Sequence, residues 1–482
     1  MKQFALTLCM VLLSVMFCRA QIKPLKFDKN GEFKIVQFTD VHFKYGNPAS
    51  DIALKRINEV LDAERPDLVV FTGDVVYAKP AETAMRTVLA CASSRKIPFV
   101  VTFGNHDNEQ DKTRAELYDV VRSVPYNIQP DRGEADSPDY VLALQASDSN
   151  RDAALLYCMD SHSYSRLSDV KGYAWFTFDQ VNWYRSQSAA YTERNGGKPL
   201  PALAFFHIPL PEYNQAAADE SAILIGTRME KACAPLLNTG MFAAMKEAGD
   251  VMGTFVGHDH DNDYVGINKR ILLGYGRVTG ADAYGELIRG ARIIELYEGE
   301  FKFDTWIATL SGREAIYYYP SGLNSDEERV MNYFPAMNVA SPKQGVAYTY
   351  YEGQCKRVAD ITSCLKVKEG IMKNFLTKDA AIADHFAYEF RTLIYISKRG
   401  VYRFYTISDD GSKLYIDDKL IVDNDGGHSV RRAEGKVALE KGYHALHLLY
   451  FENYMGQELE VGFLGRDIPE TPIPAEMLFL PD

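Results

Sequence analysis

Hydrophobic residues in the N-terminal quarter of the chain gather in three short runs. The runs are Ile35–Phe38, Leu68–Phe71 and Pro98–Thr102, and their length and composition are typical of buried strands. Between them, at about Ile52–Ala63 and Ala81–Ser93, apolar residues recur at helical spacing. The order strand, helix, strand, helix, strand predicts consecutive right-handed crossovers on a parallel sheet.

Side chains that commonly bind metal ions follow these runs, and others follow the later apolar segments Leu203–Phe206 and Val251–Val256. In chain order the clusters are Asp40-Val41-His42, Gly73-Asp74, Gly104-Asn105-His106-Asp107, His207 and Gly257-His258-Asp259-His260. Because ligands bind beyond the carboxyl ends of parallel strands, we expect the clusters to converge. Each residue alone has a structural explanation, such as a turn, a helix cap or a core histidine, but five clusters at five strand ends favour one shared site.

Taken together, the clusters match the pattern DxH, GD, GNH[DE], lone His and GHxH, and the chain resembles the calcineurin-like metallophosphoesterases. The resemblance implies an α/β domain that hydrolyses phosphate mono- or diesters with a hydroxide bridging two metal ions. The implied ligands are Asp40, His42, Asp74 and His260 for the first ion, and Asp74, Asn105, His207 and His258 for the second. Oxygen and imidazole ligands suit iron, manganese or zinc, and the sequence does not choose among them.

The resemblance also implies roles for residues that do not bind metal. His106 would assist the leaving oxygen or stabilise the transferring phosphoryl group, and Asp107 would orient its ring. The segment from Gly73 to Tyr77 is similar to the purple acid phosphatase variant, in which the tyrosine binds ferric iron. That variant has glycine where this chain has His42, so we expect Tyr77 to pack or to line the rim of the site.

Two further residues are candidates for substrate binding. Arg277 follows the last cluster, where a basic group could contact phosphate, and a salt bridge within the protein explains it equally well. His162 follows the predicted strand Ala154–Met159 and could face the cleft or lie in a surface loop.

From about Gly345 onwards, short apolar or alternating segments are separated by glycine and Asp/Asn turns, which predicts an antiparallel β-sandwich. Ser408-Asp409-Asp410-Gly411 and Gly442-Tyr443-His444 resemble the β-module first named from bacterial protective antigen. That resemblance implies a carbohydrate-associated module in which Asp409 and Asp410 would hold calcium. The alternative is that the aspartate pair only shapes a tight turn.

The 482 residues therefore predict an α/β domain followed by an all-β domain. Residues 1–20 are predicted to be a secretory signal, with charged Lys2, apolar Phe4–Phe17 and cleavage after Ala20; a short membrane anchor is the alternative. Residues 21–312 are predicted to form the phosphoesterase domain, 313–344 a linker and 345–482 the β-module. The expected location is the periplasm or the extracellular space.

Five cysteines lie beyond the predicted signal. Cys355 and Cys364 are close enough in sequence for a local disulfide in an oxidising compartment. Cys91 and Cys158 stand in apolar segments and are predicted to be buried thiols.

Composition limits the kinds of partner that the protein is expected to bind. A formal net charge of −12 argues against a broad nucleic-acid surface, and no later run is long enough to predict a membrane span in the mature protein. The expected substrate is a small-molecule or glycan-linked phosphate ester, with a carbohydrate as a further ligand. The alternative function is a carbohydrate-binding surface protein with an inactive phosphoesterase scaffold, although no ligand position is replaced. A nuclease is a third, weaker interpretation.

Overall fold

A computed structural model describes residues 24–480, except 219–223, 323–330, 379, 455 and 467. The predicted signal lies outside the described residues. No helix within the described ranges is long and apolar enough to cross a membrane.

The first part of the chain alternates strands and helices. Its elements are β1 (Glu32–Phe38), α1 (Pro48–Glu64), β2 (Leu68–Thr72), α2 (Ala81–Ser93), β3 (Phe99–Thr102), α3 (Arg114–Ser123), β4 (Tyr140–Gln145), β5 (Asp152–Cys158), α4 (Phe178–Arg194), β6 (Ala202–Phe205), α5 (Glu212–Ala218), β7 (Leu224–Ile225), α6 (Met241–Ala248), β8 (Val251–Val256), β9 (Val265–Asn268), β10 (Ile271–Tyr275), β11 (Ala291–Tyr297), β12 (Phe303–Thr309) and β13 (Gly312–Tyr319).

These strands form two sheets that pack face to face. The first sheet has the order β13-β12-β11-β1-β2-β3, and the second has the order β4-β5-β6-β8-β10-β9-β7. Ile35 and Val70 of the first sheet meet Leu156 and Phe205 of the second in a shared core. The neighbouring residues along β1 and β2 point the other way, against α1, α2 and α3, while α4, α5 and α6 cover the outer face of the second sheet. Both faces of each sheet are buried, which explains the continuous apolar runs.

The parallel strands direct their carboxyl ends to one edge of this four-layer structure. β1, β2 and β3 are parallel neighbours, and so are β5, β6, β8 and β10. The loop after β1 also bridges to the segment after β10, through Thr39 and Val278. The parallel βαβ arrangement expected from the first three runs is confirmed, and it brings loops from both sheets together.

Helix α4 begins at Phe178, because Thr177 forms a capping box with Gln180. One element differs from the expectation. β13 pairs with β12 in the first sheet, so the first sheet extends into the range predicted to be a linker.

The C-terminal part is all-β apart from two short 3₁₀ helices, Val358–Ser363 and Ala475–Met477. Its strands are β14 (Lys343–Gln344), β15 (Val346–Glu352), β16 (Leu365–Met372), β17 (Phe386–Ile396), β18 (Gly400–Asp409), β19 (Ser412–Ile416), β20 (Lys419–Asn424), β21 (Arg431–Leu439), β22 (Gly442–Glu452), β23 (Glu458–Gly465), β24 (Ile468–Pro472) and β25 (Leu478–Leu480).

Antiparallel pairing organises these strands into two sheets. One has β17 and β22 at its centre, and the other has the order β21-β18-β23-β24. Phe390 and Leu448 of the first sheet pack with Phe404 and Phe463 of the second in one core. The expected sandwich is confirmed.

The cysteines fall into two settings. Cys91 and Cys158 are buried thiols, as expected, and burial raises the pKa of Cys158 to about 12. Cys355 and Cys364 are both free thiols, although their sulfur atoms lie 3.3 Å apart. The expected disulfide is therefore not formed in this structure.

Candidate metal centre

Loops at the shared edge of the two sheets carry all the residues predicted as ligands. Four of them have positive φ, namely Asp40 (51°), His42 (47°), Asp74 (50°) and His258 (82°). A non-glycine residue in this region costs about 1–3 kcal/mol, and such strain clusters at functional sites. The surrounding structure therefore bends the backbone at these positions at a cost in stability.

One group of ligand atoms belongs to Asp40, His42 and His260, which offer atoms within 4.8 Å of one another. Nε2 of His260 lies 3.3 Å from Oδ1 of Asp40, and Nε2 of His42 lies 3.9 Å from the same oxygen. All three side chains are buried. A carboxylate and two imidazoles at these separations suit a transition-metal ion.

A second group belongs to Asp74, His207 and His258, again within 4.8 Å. Nε2 of His207 lies 3.2 Å from Oδ2 of Asp74 and 3.3 Å from Nδ1 of His258. Nδ1 of His207 lies 2.7 Å from the carbonyl oxygen of Thr72. That backbone contact fixes the ring so that Nε2 faces the other ligands.

Asp74 stands between the two groups. Its Oδ2 is 3.2 Å from Nε2 of His207 and 3.6 Å from Nε2 of His42, so one oxygen faces a histidine of each group. Its Oδ1 accepts the backbone N–H of His106 at 2.8 Å. Gly104 allows this approach, because a Cβ at that position would overlap Oδ1.

The residues present fit two metal ions. Within the described chain, Nε2 of His42, Oδ1 of Asn105 and Nε2 of His258 are buried and make no hydrogen bond. Buried polar atoms normally have a partner. His42 belongs to the first group, and a cation there would satisfy its Nε2. Asn105 is the further residue expected to bind the second ion, beside Asp74, His207 and His258.

The electrostatics of the site keep its carboxylates ionised. Burial opposes this, yet His260 and His42 hold the pKa of Asp40 well below its usual range, and His207 and His42 lower that of Asp74. Burial likewise disfavours charge on His207, but Asp74 raises the pKa of that imidazole to about 9. Burial and the charge of His207 lower the pKa of His258 to about 3. Ionised carboxylates are the form that binds metal.

His106 lies beside the two groups and has a partner that the sequence did not indicate. Its Nδ1 lies 2.6 Å from Oε2 of Glu109. The other oxygen of Glu109 accepts the hydroxyl of Tyr164 at 2.9 Å, and the hydroxyl of Tyr164 accepts from Nδ2 of Asn105 at 3.3 Å. The only sequence signal was an acidic residue three positions after His106.

This geometry corrects the role expected for Asp107. Its fully buried carboxylate accepts the backbone N–H groups of Asp74 (3.0 Å), Val75 (2.7 Å), Val76 (3.1 Å) and Gly104 (2.8 Å). The bonds from Asp74, Val75 and Val76 tie the loop after β2 to the loop after β3, and the bond from Gly104 lies within the loop after β3. Asp107 therefore holds the ligand loops together, and Glu109 is the residue in contact with the His106 ring.

A cavity of about 280 Å³ opens onto the two groups, and tyrosines form much of its wall. Tyr284 stacks on His260 with ring centroids 4.0 Å apart, and Tyr173 packs edge-on against His258 at 4.3 Å. Tyr77 is 37% exposed, with its ring 5.0 Å from the rings of both His42 and His106. Tyr77 is thus a rim residue of this cavity, as expected.

Comparison with known proteins assigns the fold to a family. The model of the calcineurin-like phosphoesterases matches residues 33–262. A relative from Arabidopsis thaliana, described as probable inactive purple acid phosphatase 29, is 33% identical over 341 residues, covering 64% of this chain and 87% of that protein. The chain belongs to the calcineurin-like phosphoesterase family. The PA14 domain model matches residues 342–475, so a PA14 domain follows the phosphoesterase domain.

A yeast relative is consistent with this assignment. Phosphatase DCR2 from Saccharomyces cerevisiae is 30% identical over 333 residues, covering 61% of this chain and 57% of that protein. Among solved structures, a dimetal phosphatase from Danio rerio aligns with 59% of this chain and 96% of that chain, with a TM-score of 0.42 and 14% identity.

The cavity of about 280 Å³ at the metal ligands is called the metal-side cavity. Neither of the two residues that were candidates for substrate binding lines it. Arg277 is buried and forms a salt bridge with Asp263, and its Nη2 lies 3.2 Å from Glu314. Of the two explanations considered for Arg277, the structure contains the salt bridge. Nε2 of His162 lies 2.8 Å from Oε1 of Gln180, and His162 lines a neighbouring groove.

The PA14 domain contains a cluster of three carboxylates. Asp409, Asp410 and Glu452 offer ligand atoms within 4.8 Å of one another. Asp410 accepts the backbone N–H groups of His428 (2.8 Å) and Asn453 (2.9 Å), as a turn-shaping residue does. Burial and the charges of Asp410 and Asp409 raise the pKa of Glu452 to about 8. Oε1 of Glu452 is buried and makes no hydrogen bond to the described residues. Glu452 lies far from the two aspartates along the chain, and no sequence pattern links it to them.

Proposed function

We propose that this chain is a metal-dependent phosphoesterase that hydrolyses phosphate mono- or diesters. The observation that carries the proposal is Asp74, whose Oδ2 faces a histidine of each buried group. The proposed ligands are those expected from the family resemblance: Asp40, His42, Asp74 and His260 for one ion, and Asp74, Asn105, His207 and His258 for the other. Export from the cytoplasm, predicted from residues 1–20, remains part of the proposal.

Two bound ions would supply the positive charge that lowers the pKa of an attacking water and neutralises the phosphoryl oxygens. Residues of the chain supply the negative charge at the site and hold the ligands in position. Asp74 and Asp40 place fixed negative charge between the histidines. The carbonyl of Thr72 orients His207, and Asp107 joins the loop after β3 to the loop after β2 through three backbone hydrogen bonds.

His106 is proposed as the residue that gives a proton to the leaving oxygen. Its Nδ1 contacts Glu109, which leaves Nε2 free to face the substrate. Glu109 is proposed as the positioning residue, because a carboxylate on one imidazole nitrogen fixes the ring and its tautomer. Asp107 keeps a structural role.

Metal removal tests the proposal directly. We expect the purified protein to contain close to two ions per chain and to release p-nitrophenol from p-nitrophenyl phosphate. Exhaustive chelation should abolish the activity, and adding manganese, iron or zinc should restore it, because the charge at the site depends on the ions. Metal analysis by mass spectrometry and the chromogenic assay measure both quantities.

The control for this experiment is His447→Gln, which changes a histidine of the PA14 domain. It should leave both metal content and activity unchanged. A protein that binds no metal, or binds two ions and hydrolyses neither mono- nor diesters, would favour the alternative of a binding protein with an inactive scaffold.

We further propose that the PA14 domain is a carbohydrate-associated module that holds a calcium ion at Asp409, Asp410 and Glu452. The supporting observation is the partnerless Oε1 of Glu452 beside two further carboxylates. Calcium prefers several oxygen ligands, including carboxylates, and its charge would relieve the repulsion among the three acidic groups.

Calcium should therefore stabilise the protein. We expect millimolar calcium to raise the melting temperature of the PA14 transition by about 5 °C, since a ligand that binds only the folded state stabilises it. Asp409→Asn and Glu452→Gln should each remove most of this rise. Asp423→Asn, at an exposed carboxylate outside the cluster, should keep it. A calcium response that is the same in all four proteins would leave the aspartates as turn residues only.

A further inference from the structure

A second concavity, which we call the side groove, adjoins the metal-side cavity of the phosphoesterase domain. Its volume is about 820 Å³, roughly three times the 280 Å³ of the cavity that contains the metal ligands. Asn108, Lys112, Tyr164, Arg166, Leu167 and Trp175 line it, together with other residues that include Arg114 and His162.

Consecutive residues connect the side groove to the cavity. Tyr173 lines the cavity, and Ala174 and Trp175 line the groove. The ring of Tyr164, a groove residue, stacks on Tyr173 with centroids 5.7 Å apart. This stacked pair therefore has one ring in the wall of each space.

His106 stands on the groove side of the cavity. Its Nδ1 contacts Oε2 of Glu109, and Oε1 of the same carboxylate accepts the hydroxyl of Tyr164. Glu109 thus links the proposed proton donor to Tyr164 of the groove wall. A leaving group that takes its proton from His106 begins at this side of the cavity.

The walls of the side groove offer flat apolar surface together with charged groups of both signs. Tyr164 is 47% exposed and Leu167 is 50% exposed. Lys112 and Arg166 supply donors, while Asp111, Glu116 and Asp136 supply acceptors. In contrast, none of the described residues that line the metal-side cavity is a lysine or an arginine. Rings that carry hydroxyl or amino groups match such mixed walls, because they stack on aromatic side chains and exchange hydrogen bonds with polar ones.

We infer that the side groove binds the leaving alcohol of the substrate, and that the preferred substrates are phosphate esters of large, polar, ring-bearing alcohols. The inference rests on the proposed hydrolysis. In that reaction the oxygen of water forms a new bond to phosphorus and gives up a proton. The bond between phosphorus and the alcohol oxygen breaks, and that oxygen takes a proton from His106. The phosphoryl group stays in the small cavity and the alcohol occupies the groove.

Two esters of similar alcohol chemistry test the inference. Adenosine 5′-monophosphate and glycerol 3-phosphate are both esters of a primary alcohol, but only the first carries rings that could fill the groove. With the metal-loaded full-length protein and detection of released phosphate, we expect kcat/KM to be about 10-fold or more higher for the nucleotide, the scale of one good aromatic stack. If the enzyme accepts only diesters, the methyl esters of the same two phosphates serve as the pair, and the released adenosine or glycerol is measured instead of phosphate.

Trp175→Ala should remove most of this preference by raising KM for the nucleotide, with little change for glycerol phosphate. Leu167→Ala, at a half-exposed position where folding is not at risk, should lower the preference in the same direction. Phe178→Ala is the matched control, because that ring is 71% exposed and does not line the groove. Equal rates on both esters, or variants that slow both esters alike, would overturn the inference while leaving the phosphoesterase proposal intact. Absence of turnover on every ester would overturn both.

Discussion

Asp74→Ala is expected to leave the protein without its metal pair and without phosphoesterase activity. The carboxylate is buried, and its Oδ2 faces His42 on one side and His207 on the other. Alanine removes the oxygen that faces a histidine of each group. We expect kcat/KM to fall by about 10³-fold or more, the scale seen when transition-state charge stabilisation is lost.

Metal analysis, the ester assay and far-UV circular dichroism check this outcome. The fold should be retained, because β2 and its neighbours are held by the two cores on either side of the first sheet. Asp107→Ala is the informative contrast. It deletes an acceptor of four backbone N–H groups and should lower the free energy of unfolding by about 3 kcal/mol. An Asp74→Ala protein that keeps two ions and substantial activity would contradict the bridging assignment.

His106→Ala is expected to keep both metal ions and to slow turnover by about 10²-fold, the usual scale for a positioned proton donor. The loss should be largest for esters with poor leaving groups, because a good leaving group departs without a proton. Measuring kcat across a series of aryl and alkyl esters gives this dependence. Full rate on a poor leaving group would show that His106 is not the donor.

Glu109→Gln should reproduce part of this effect, since the amide keeps a contact with Nδ1 but not the charge that fixes the tautomer. We expect kcat to fall by about 10-fold with the same leaving-group dependence, KM and metal content unchanged, and partial recovery in Glu109→Asp. Loss of rate that is uniform across leaving groups would point to a structural role only.

The convergence of the ligands was predictable from the sequence because it depends on local features. Each ligand cluster follows an apolar run, and parallel strands send their carboxyl ends to a common edge. The position of Asp74 at the end of β2 follows from this rule. Likewise, the turn residues between the alternating segments after Gly345 predicted the antiparallel sandwich, which depends on the same short-range pattern.

Contacts between distant segments were not predictable in this way. The sequence places Asp107 next to His106, yet successive side chains point in different directions, and Asp107 turns inward to the loop after β2. Glu109, three residues after His106, contacts the His106 ring within the segment that follows β3. Glu452 lies near Asp410 because of the way the strands of the sandwich pair. Arg277 forms a salt bridge with Asp263, and the periodicity of apolar residues gives no signal for such a contact.

The metal centre lies where loops of the two sheets meet, so bound ions would affect how firmly the sheets are held together. Under the proposed assignment, each ion takes ligands from loops of both sheets: Asp40, His42, Asp74 and Asn105 come from the first, and His207, His258 and His260 from the second. Neither half could hold an ion alone. Binding of the ions would therefore stabilise the contact between the two sheets. Loss of the ions would weaken that contact before any other part of the domain.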